Sequence, residues 1–208
     1  MKKLTAILAC TALSLSFARG ADIRKVFLSM PDSIMPMLTA NDRLDFLDFM
    51  DSGMKAKVSN RLGGESVMTD LNGTSLTVRT SQSSSTCIAV YENRRGRMLI
   101  CLITTVTADF PDSSVKFYNE DWTPAQASKI IRFPELRDFL ESDALKNDSL
   151  PLLEEQSVLR LKVATATPDA LEFRYTSLDY IGEDAGKYIR WFKPDGLTYR
   201  WNGRKFVR

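Results

Sequence analysis

The chain lacks the side chains that most enzymes use for nucleophilic and metal-dependent chemistry. It contains no histidine, which excludes Ser-His-Asp triads, Cys-His pairs and the common zinc sites with histidine ligands. It also has no glycine-rich phosphate loop and no EF-hand calcium loop. The sequence therefore implies no metal and no cofactor. Carboxylate-driven catalysis, as in glycoside hydrolysis, is the enzyme class that remains.

The acids that such a hydrolase would use are Glu120 and Asp121, which directly precede Trp122. Glycosidases place two carboxyl groups about 5–10 Å apart, flanking the scissile bond. Adjacent acids are also common in solvated turns, where Trp122 would anchor the turn in the core. Because an acid pair alone has little specificity, the composition favours the turn, and we assign no catalytic residue.

Three arginines occupy a predicted hairpin tip, Asn93-Arg94-Arg95-Gly96-Arg97. Guanidinium groups bind carboxylates and phosphates through paired hydrogen bonds, so Arg94 and Arg95 are candidate binding residues for an anionic partner. The alternative is a solvated turn whose charges have no partner. From the residues alone, both interpretations stay open.

A second candidate surface lies in the C-terminal strands. If 195–196 and 202–203 are two-residue turns, Arg200 lies opposite Lys205, and both share a sheet face with Trp191. An aromatic ring beside two cations suits stacking, cation–π contacts or an acidic partner. In the alternative, a helix covers Trp191 and the two cations only protect the sheet edge.

Cys87 and Cys101 lie in two predicted strands, 86–91 and 98–105. A five-residue loop over 92–96 would place the cysteines opposite each other and permit a disulfide in an oxidising compartment. A change of one residue in this loop would destroy that register. Two buried free thiols are the alternative.

The first twenty residues have the pattern of a secretory leader. Two lysines precede an apolar run over 4–17, and residues 18–20 resemble a cleavage site before Ala21. The run is shorter than the roughly 20 residues of a membrane-spanning helix, so no transmembrane segment is predicted. We expect an exported protein, located in the periplasm, on the outer surface or in the medium. Lipid anchoring at Cys10 is the alternative.

Removal of residues 1–20 changes the charge balance. They hold three of the 28 basic residues and none of the 26 acidic ones, so 25 basic and 26 acidic side chains remain, with a net charge of −1. The mildly basic character of the whole chain therefore belongs to the leader. It gives no reason to expect nucleic acid or an anionic membrane as a partner.

Apolar periodicity places the candidate residues on an α+β scaffold. Helical spacing over 23–30 and 41–50 gives way from Gly64 to apolar residues at every second position. Helices are predicted again from Thr123 and from Pro134. The predicted strands cover 66–71, 75–81, 86–91, 98–107, 114–118, 157–166, 171–177 and 187–193.

The connections between these strands are too short for parallel crossovers. The pattern therefore predicts mostly antiparallel sheet with helices packed on one face. Helices followed by strands occur twice, which suggests two halves, 21–120 and 121–208. Because no proline- or glycine-rich linker separates the halves, we predict a single domain over 21–208.

Several segments resemble a family of small exported proteins from gut anaerobic bacteria that carries a domain-of-unknown-function label. The segments that carry the resemblance are Leu47-Asp48-Phe49-Met50-Asp51-Ser52-Gly53-Met54, Ile103-Thr104-Thr105-Val106, Asp112-Ser113 and Phe117-Tyr118-Asn119-Glu120-Asp121-Trp122. They look like core and turn positions and not like a catalytic signature. The order of elements is also similar in outline to tandem-repeat β-lactamase-inhibitor and peptidase-propeptide-like folds, which are binding modules.

These observations favour a non-catalytic binding or inhibitor-like module of the cell envelope. Its partner would be an envelope protein or a glycan. A carboxylate-dependent glycan hydrolase and a structural subunit of an envelope assembly are the alternatives. The hydrolase requires a cleft with two acids, and the subunit requires a large apolar surface.

Overall fold

The computed structural model describes residues 22–107, 109–156, 159–178 and 185–208. The predicted leader, with Cys10, lies outside the described residues. The helices are α1 (Ile23–Ser29), α2 (Ala40–Asp51), α3 (Leu150–Gln156) and α4 (Ala185–Tyr188), and short 3-10 turns cover Ala127–Lys129, Leu136–Phe139, Ala144–Lys146 and Ile189–Trp191. The strands are β1 (Lys57–Ser59), β2 (Glu65–Leu71), β3 (Ser75–Ser81), β4 (Ser84–Glu92), β5 (Met98–Val106), β6 (Asp112–Asn119), β7 (Lys162–Ala166), β8 (Ala170–Tyr175), β9 (Leu197–Trp201) and β10 (Phe206–Val207).

The strands form two antiparallel sheets. Strands β1 to β6 pair in sequence order in a six-stranded sheet, and the four-stranded sheet has the order β10-β9-β8-β7. The predicted α+β class with mostly antiparallel strands is confirmed. No helix among the described residues is both long and apolar enough to cross a bilayer.

Strands β4 and β5 of the larger sheet are buried on both faces. Ile88 and Ile100 point toward α1 and α2, whereas the neighbouring Ala89 and Cys101 point toward the four-stranded sheet. Because side chains alternate across a strand, a strand covered on both faces must be apolar at nearly every position. This explains the almost continuous apolar run of β5. The result is three layers, with the larger sheet in the middle.

The helical layer begins with capped helix ends. Asp22 caps α1, and at α2 the Thr39 side chain accepts a hydrogen bond from the Asp42 N–H (3.1 Å) while the Asp42 carboxylate accepts one from the Thr39 N–H (2.6 Å). The helix therefore begins at Ala40, one residue before the predicted start at 41. This reciprocal pair satisfies two backbone donors that would otherwise lack partners.

The four-stranded sheet packs on the opposite face of β4 and β5. One apolar cluster combines residues of β4, β5 and β6 with residues from 130 to 206. The Tyr91 hydroxyl lies 2.9 Å from the Thr167 carbonyl oxygen and 2.8 Å from that of Ala170, so it also joins the layers by hydrogen bonding. The two predicted halves thus each supply one sheet and share a core.

Two predicted elements are wrong. No helix starts at Thr123, because Pro124 instead forms an antiparallel bridge with Tyr118 beside β6. The predicted strand over 187–193 is replaced by α4 and a 3-10 turn over Ile189–Trp191. The position beside β9 that this strand would occupy is taken by β8, with Leu171 opposite Tyr199.

Candidate functional site

A groove of about 990 Å³ lies where three turns meet. Its walls come from the β4–β5 turn over 93–97, the turn after β6 over 119–125 and the β9–β10 turn over 202–205. Four arginines line it: Arg94, Arg95, Arg97 and Arg204. Two of these, Arg94 and Arg95, are candidate residues of the sequence analysis.

The β4–β5 turn is held by the side chain of Asn93. Its Oδ1 accepts hydrogen bonds from the backbone N–H groups of Arg95 (2.9 Å) and Arg97 (3.1 Å). Gly96 adopts a positive φ of 71°, a conformation that favours glycine. The turn is therefore fixed by its backbone, and the arginine side chains are left exposed to solvent.

The β4–β5 and β9–β10 turns are joined directly. The backbone N–H of Arg94 donates to the carbonyl oxygen of Gly203 (3.1 Å), and its Nε donates to that of Asn202 (3.3 Å). The indole N–H of Trp201 donates to the Glu92 carbonyl oxygen (2.7 Å). Gly203 has φ +83°, and a Cβ there would lie 2.7 Å from Arg94 Cγ. Only glycine allows this close approach without displacement of Arg94.

The groove arginines have no acidic partner in the described part of the chain. None of the four guanidinium groups lies within 4 Å of a carboxylate there, although Glu120 and Asp121 line the same groove. Exposed cations close together repel one another weakly, and an anion bound between them removes that repulsion. The arrangement is therefore suited to an anionic ligand.

Glu120 and Asp121 are used within the turn. Glu120 accepts a hydrogen bond from the Met98 N–H. Asp121 accepts bonds from the hydroxyl (2.6 Å) and N–H (3.0 Å) of Thr123, and the hydroxyl bond is the main cause that lowers the pKa of its carboxyl group. Trp122, with φ 62°, is buried and donates its indole N–H to the Val26 carbonyl oxygen. The pair thus behaves as turn acids beside a core anchor.

Trp201 is the aromatic residue of the groove. It is half-buried and packs against Tyr91 and Phe206, with ring centroids 5.9 and 4.9 Å away. Sequence reasoning missed it, because the assumed two-residue turn placed Trp201 opposite Arg204. In the structure Trp201 lies opposite Phe206.

The predicted face of Trp191, Arg200 and Lys205 does not form. Trp191 is only 9% exposed and packs on Tyr188, and it lies in the 3-10 turn that follows α4 instead of on a strand. Arg200 lies opposite Val207 and forms an exposed ion pair with Asp169 (2.9 Å). Lys205 lies in the β9–β10 turn and does not line the groove.

The error in the predicted pairing of β9 with β10 has a local cause. The β9–β10 turn contains four residues, 202–205, because the Asn202 side chain accepts hydrogen bonds from the N–H groups of Arg204 and Lys205 (both 3.0 Å). A turn of four residues moves every cross-strand partner by two positions relative to a turn of two, so Arg200 faces Val207 instead of Lys205.

Cys87 and Cys101 are free thiols. The β4–β5 loop covers 93–97 instead of 92–96, so Cys87 lies opposite Ile103 and Cys101 lies opposite Ala89. Burial raises the pKa of both thiols. The alternative of two free thiols is the one observed, with Cys101 buried and Cys87 half-buried, and both are poor nucleophiles. Across the described ranges, no group of three or more acidic or cysteine side chains is placed to bind a metal.

The fold and groove define a class: a three-layer α+β protein whose larger sheet ends in an arginine-lined cleft. Residues 16–206 match the family described as "Protein of unknown function (DUF3256)", and the chain belongs to this family. The resemblance to a family of unknown function is thus confirmed.

A solved structure, of a domain of an uncharacterized protein from Porphyromonas gingivalis W83, is similar to this chain. The two share 23% sequence identity with a TM-score of 0.79, over 90% of this chain and 100% of that one. At this identity the likeness concerns the fold alone. No curated protein matches the sequence.

Proposed function

We propose that the protein is an exported, non-catalytic binding module of the cell envelope and that its groove captures an anionic ligand. One observation carries this proposal. The groove brings four exposed guanidinium groups together, and none of them is paired with a carboxylate of the described residues. Export is supported by the leader-like pattern of residues 1–20.

The backbone that carries the groove arginines is ordered before any ligand binds. Arg94 is fixed by bonds to Gly203 and Asn202, and the N–H groups of Arg95 and Arg97 are fixed by Asn93. A binding site whose backbone is already ordered loses less conformational entropy on binding. Each charge-assisted hydrogen bond to a ligand then contributes about 1.5–3 kcal/mol.

The groove does not favour the hydrolase alternative. A glycosidase needs one carboxyl group whose pKa is raised, so that it is protonated and can act as an acid. The pKa of Asp121 is lowered, and the carboxylates of both Asp121 and Glu120 accept hydrogen bonds within the turn. The acids therefore stabilise the wall of the groove and are not free for acid–base chemistry.

The test measures binding of the purified protein to immobilised polyanions, namely polyglutamate, polygalacturonate and polyphosphate, at low and high salt. We expect binding that weakens with salt, and a loss of tenfold or more in the variant Arg95→Gln/Arg97→Gln/Arg204→Gln. The control variant Arg79→Gln/Arg160→Gln/Arg174→Gln removes the same charge from residues outside the groove. Equal loss in both variants, or no binding to any polyanion at low salt, would refute the proposal.

A further inference from the structure

We infer that the anionic ligand of the groove is an acidic oligosaccharide, whose carboxylate or sulfate groups contact the arginines and whose sugar rings contact Trp201. This inference rests on the proposed function and assigns its ligand class. It follows from a division of the groove into a cationic rim and an apolar floor.

The rim and the floor offer different chemistry. The rim consists of the four arginines, and the floor includes the buried Leu99 and Ile130, the half-buried Met98 and the ring of Trp201. The indole N–H of Trp201 is already bonded to Glu92, so this side chain offers a ligand its ring surface. A pyranose has an apolar C–H face bordered by polar groups, which matches an aromatic ring beneath charged side chains.

The groove also offers a neutral donor beside the cations. The Oδ1 of Asn93 is used by the turn, whereas its side-chain NH₂ donates to no atom of the described residues. Asn93 is half-buried and lines the groove. A sugar hydroxyl is a suitable acceptor for this group, because it both donates and accepts hydrogen bonds.

The size of the groove excludes a small inorganic anion as its full occupant. A volume of about 990 Å³ is at the upper end of the range for small-molecule sites, roughly 300–1,000 Å³. A single phosphate or sulfate would contact part of the rim and leave the apolar floor solvated. Two or three linked rings would reach both parts.

Other anionic macromolecules fit less well. A peptide that adds to a sheet needs an open strand edge, but β6 beside the groove is already bonded: the Ala125 N–H donates to the Phe117 carbonyl oxygen and the Asn119 N–H to that of Thr123 (both 2.9 Å). A membrane surface would need exposed apolar side chains for insertion. Among the described residues, none of the exposed large apolar side chains lines the groove.

Calorimetric titration of the purified protein with defined ligands tests the inference. The acidic sugars are trigalacturonate and a heparin-derived tetrasaccharide, which distinguish carboxylate from sulfate. Triglutamate supplies charge without rings, and maltotriose supplies rings without charge. We expect at least one acidic sugar to bind tenfold or more tightly than both triglutamate and maltotriose. Triglutamate binding as tight as that of the acidic sugars would overturn the inference and leave the anion groove intact, whereas no binding by any anion would refute both.

Saturation-transfer NMR on the unaltered protein tests the ring contact without a mutation. We expect strong saturation of the ring C–H protons of the bound acidic sugar, and its absence would overturn the inference. A matched pair of variants then locates the contact. Trp201→Leu should weaken binding of the acidic sugar tenfold or more, and Trp201→Phe threefold or less, while binding of triglutamate changes less than twofold in both. If the Trp201 variants weaken binding of triglutamate as much as binding of the acidic sugar, the assigned contact between Trp201 and a sugar ring is wrong.

Discussion

Arginines on the helical side of the larger sheet and in the groove at its end have opposite environments. Arg43, on the helical side, has a side chain only 3% exposed and donates to the carbonyl oxygens of Met30 (2.7 Å) and Leu38 (3.4 Å) and to Asp32 (3.0 Å). The arginines of the groove are exposed and have no carboxylate partner within the described ranges. A charge that is paired inside the protein stabilises a fold, whereas an unpaired one remains available to a ligand.

The largest expected effect comes from removal of the buried arginine. Arg43→Leu deletes the donor to three oxygen atoms, two of them backbone carbonyls of the loop before α2. We expect the free energy of unfolding, measured by urea denaturation, to fall by about 3 kcal/mol. Polyanion binding by the protein that remains folded should not change. A loss below 0.5 kcal/mol would contradict the role assigned to Arg43.

Arg61→Gln provides the control for Arg43. Arg61 pairs with the same carboxylate, Asp32, at 2.9 Å, but its side chain is 48% exposed. Because solvent screens such a pair, we expect Arg61→Gln to lower the free energy of unfolding by less than about 1 kcal/mol.

The second effect concerns the contact between the two turns. Gly203→Ala introduces a Cβ 2.7 Å from Arg94 Cγ at a positive φ, and we expect a loss of about 1–2 kcal/mol in unfolding free energy together with weaker polyanion binding. Gly53→Ala is the matched control, since Gly53 has φ +67° with no atom within 4 Å. It should cost about 1 kcal/mol and leave binding unchanged. Unchanged binding in both variants would show that the turn contact does not position Arg94.

The third effect separates binding from stability. In Arg95→Gln/Arg97→Gln/Arg204→Gln, no ion pair of the described residues is lost. We therefore expect an unfolding free energy within about 0.5 kcal/mol of the parent, alongside the loss of polyanion binding. A large destabilisation would mean that these side chains support the fold, as Arg43 does.

The smallest effect is a pH dependence at the helical side. The hydrogen bond from Arg43 is the main cause that holds the pKa of Asp32 below its ordinary value of 3.8. Because the pKa of Asp32 is lowered in the folded state, its contribution to stability is complete above pH 3.8. This contribution is lost as the pH falls through the pKa of the folded state. Stability measured from pH 5 to pH 2 should therefore decline less steeply in Asp32→Asn than in the parent. An identical slope would contradict this coupling.

Local signals predicted the parts of the fold that depend on neighbouring residues. The sequence predicts β3, β4 and β5 close to their observed bounds, and it predicts the Asn93 to Arg97 tip from its glycine and its turn residues. The predictions for the ends of α2 and for the segment 187–193 are less accurate. The apolar residues of this segment have the spacing of a buried strand. In the structure, Tyr188 packs in the core from α4, Trp191 from the 3-10 turn and Phe192 from the position after it, where Phe192 forms an antiparallel bridge with Leu140.

The sequence by itself determined the chemistry that is excluded, since no fold can supply a histidine, and it determined the antiparallel class, because the connections between the strands are too short for parallel crossovers. Tertiary structure decided the groove. Arg94 and Asn202 are 108 residues apart, and their contact depends on how the two sheets pack. The register of β10 depends on one side chain, Asn202, which extends the turn to four residues and brings Trp201 opposite Phe206. Periodicity identifies which residues are buried, but it does not specify which strands meet or how their ends align.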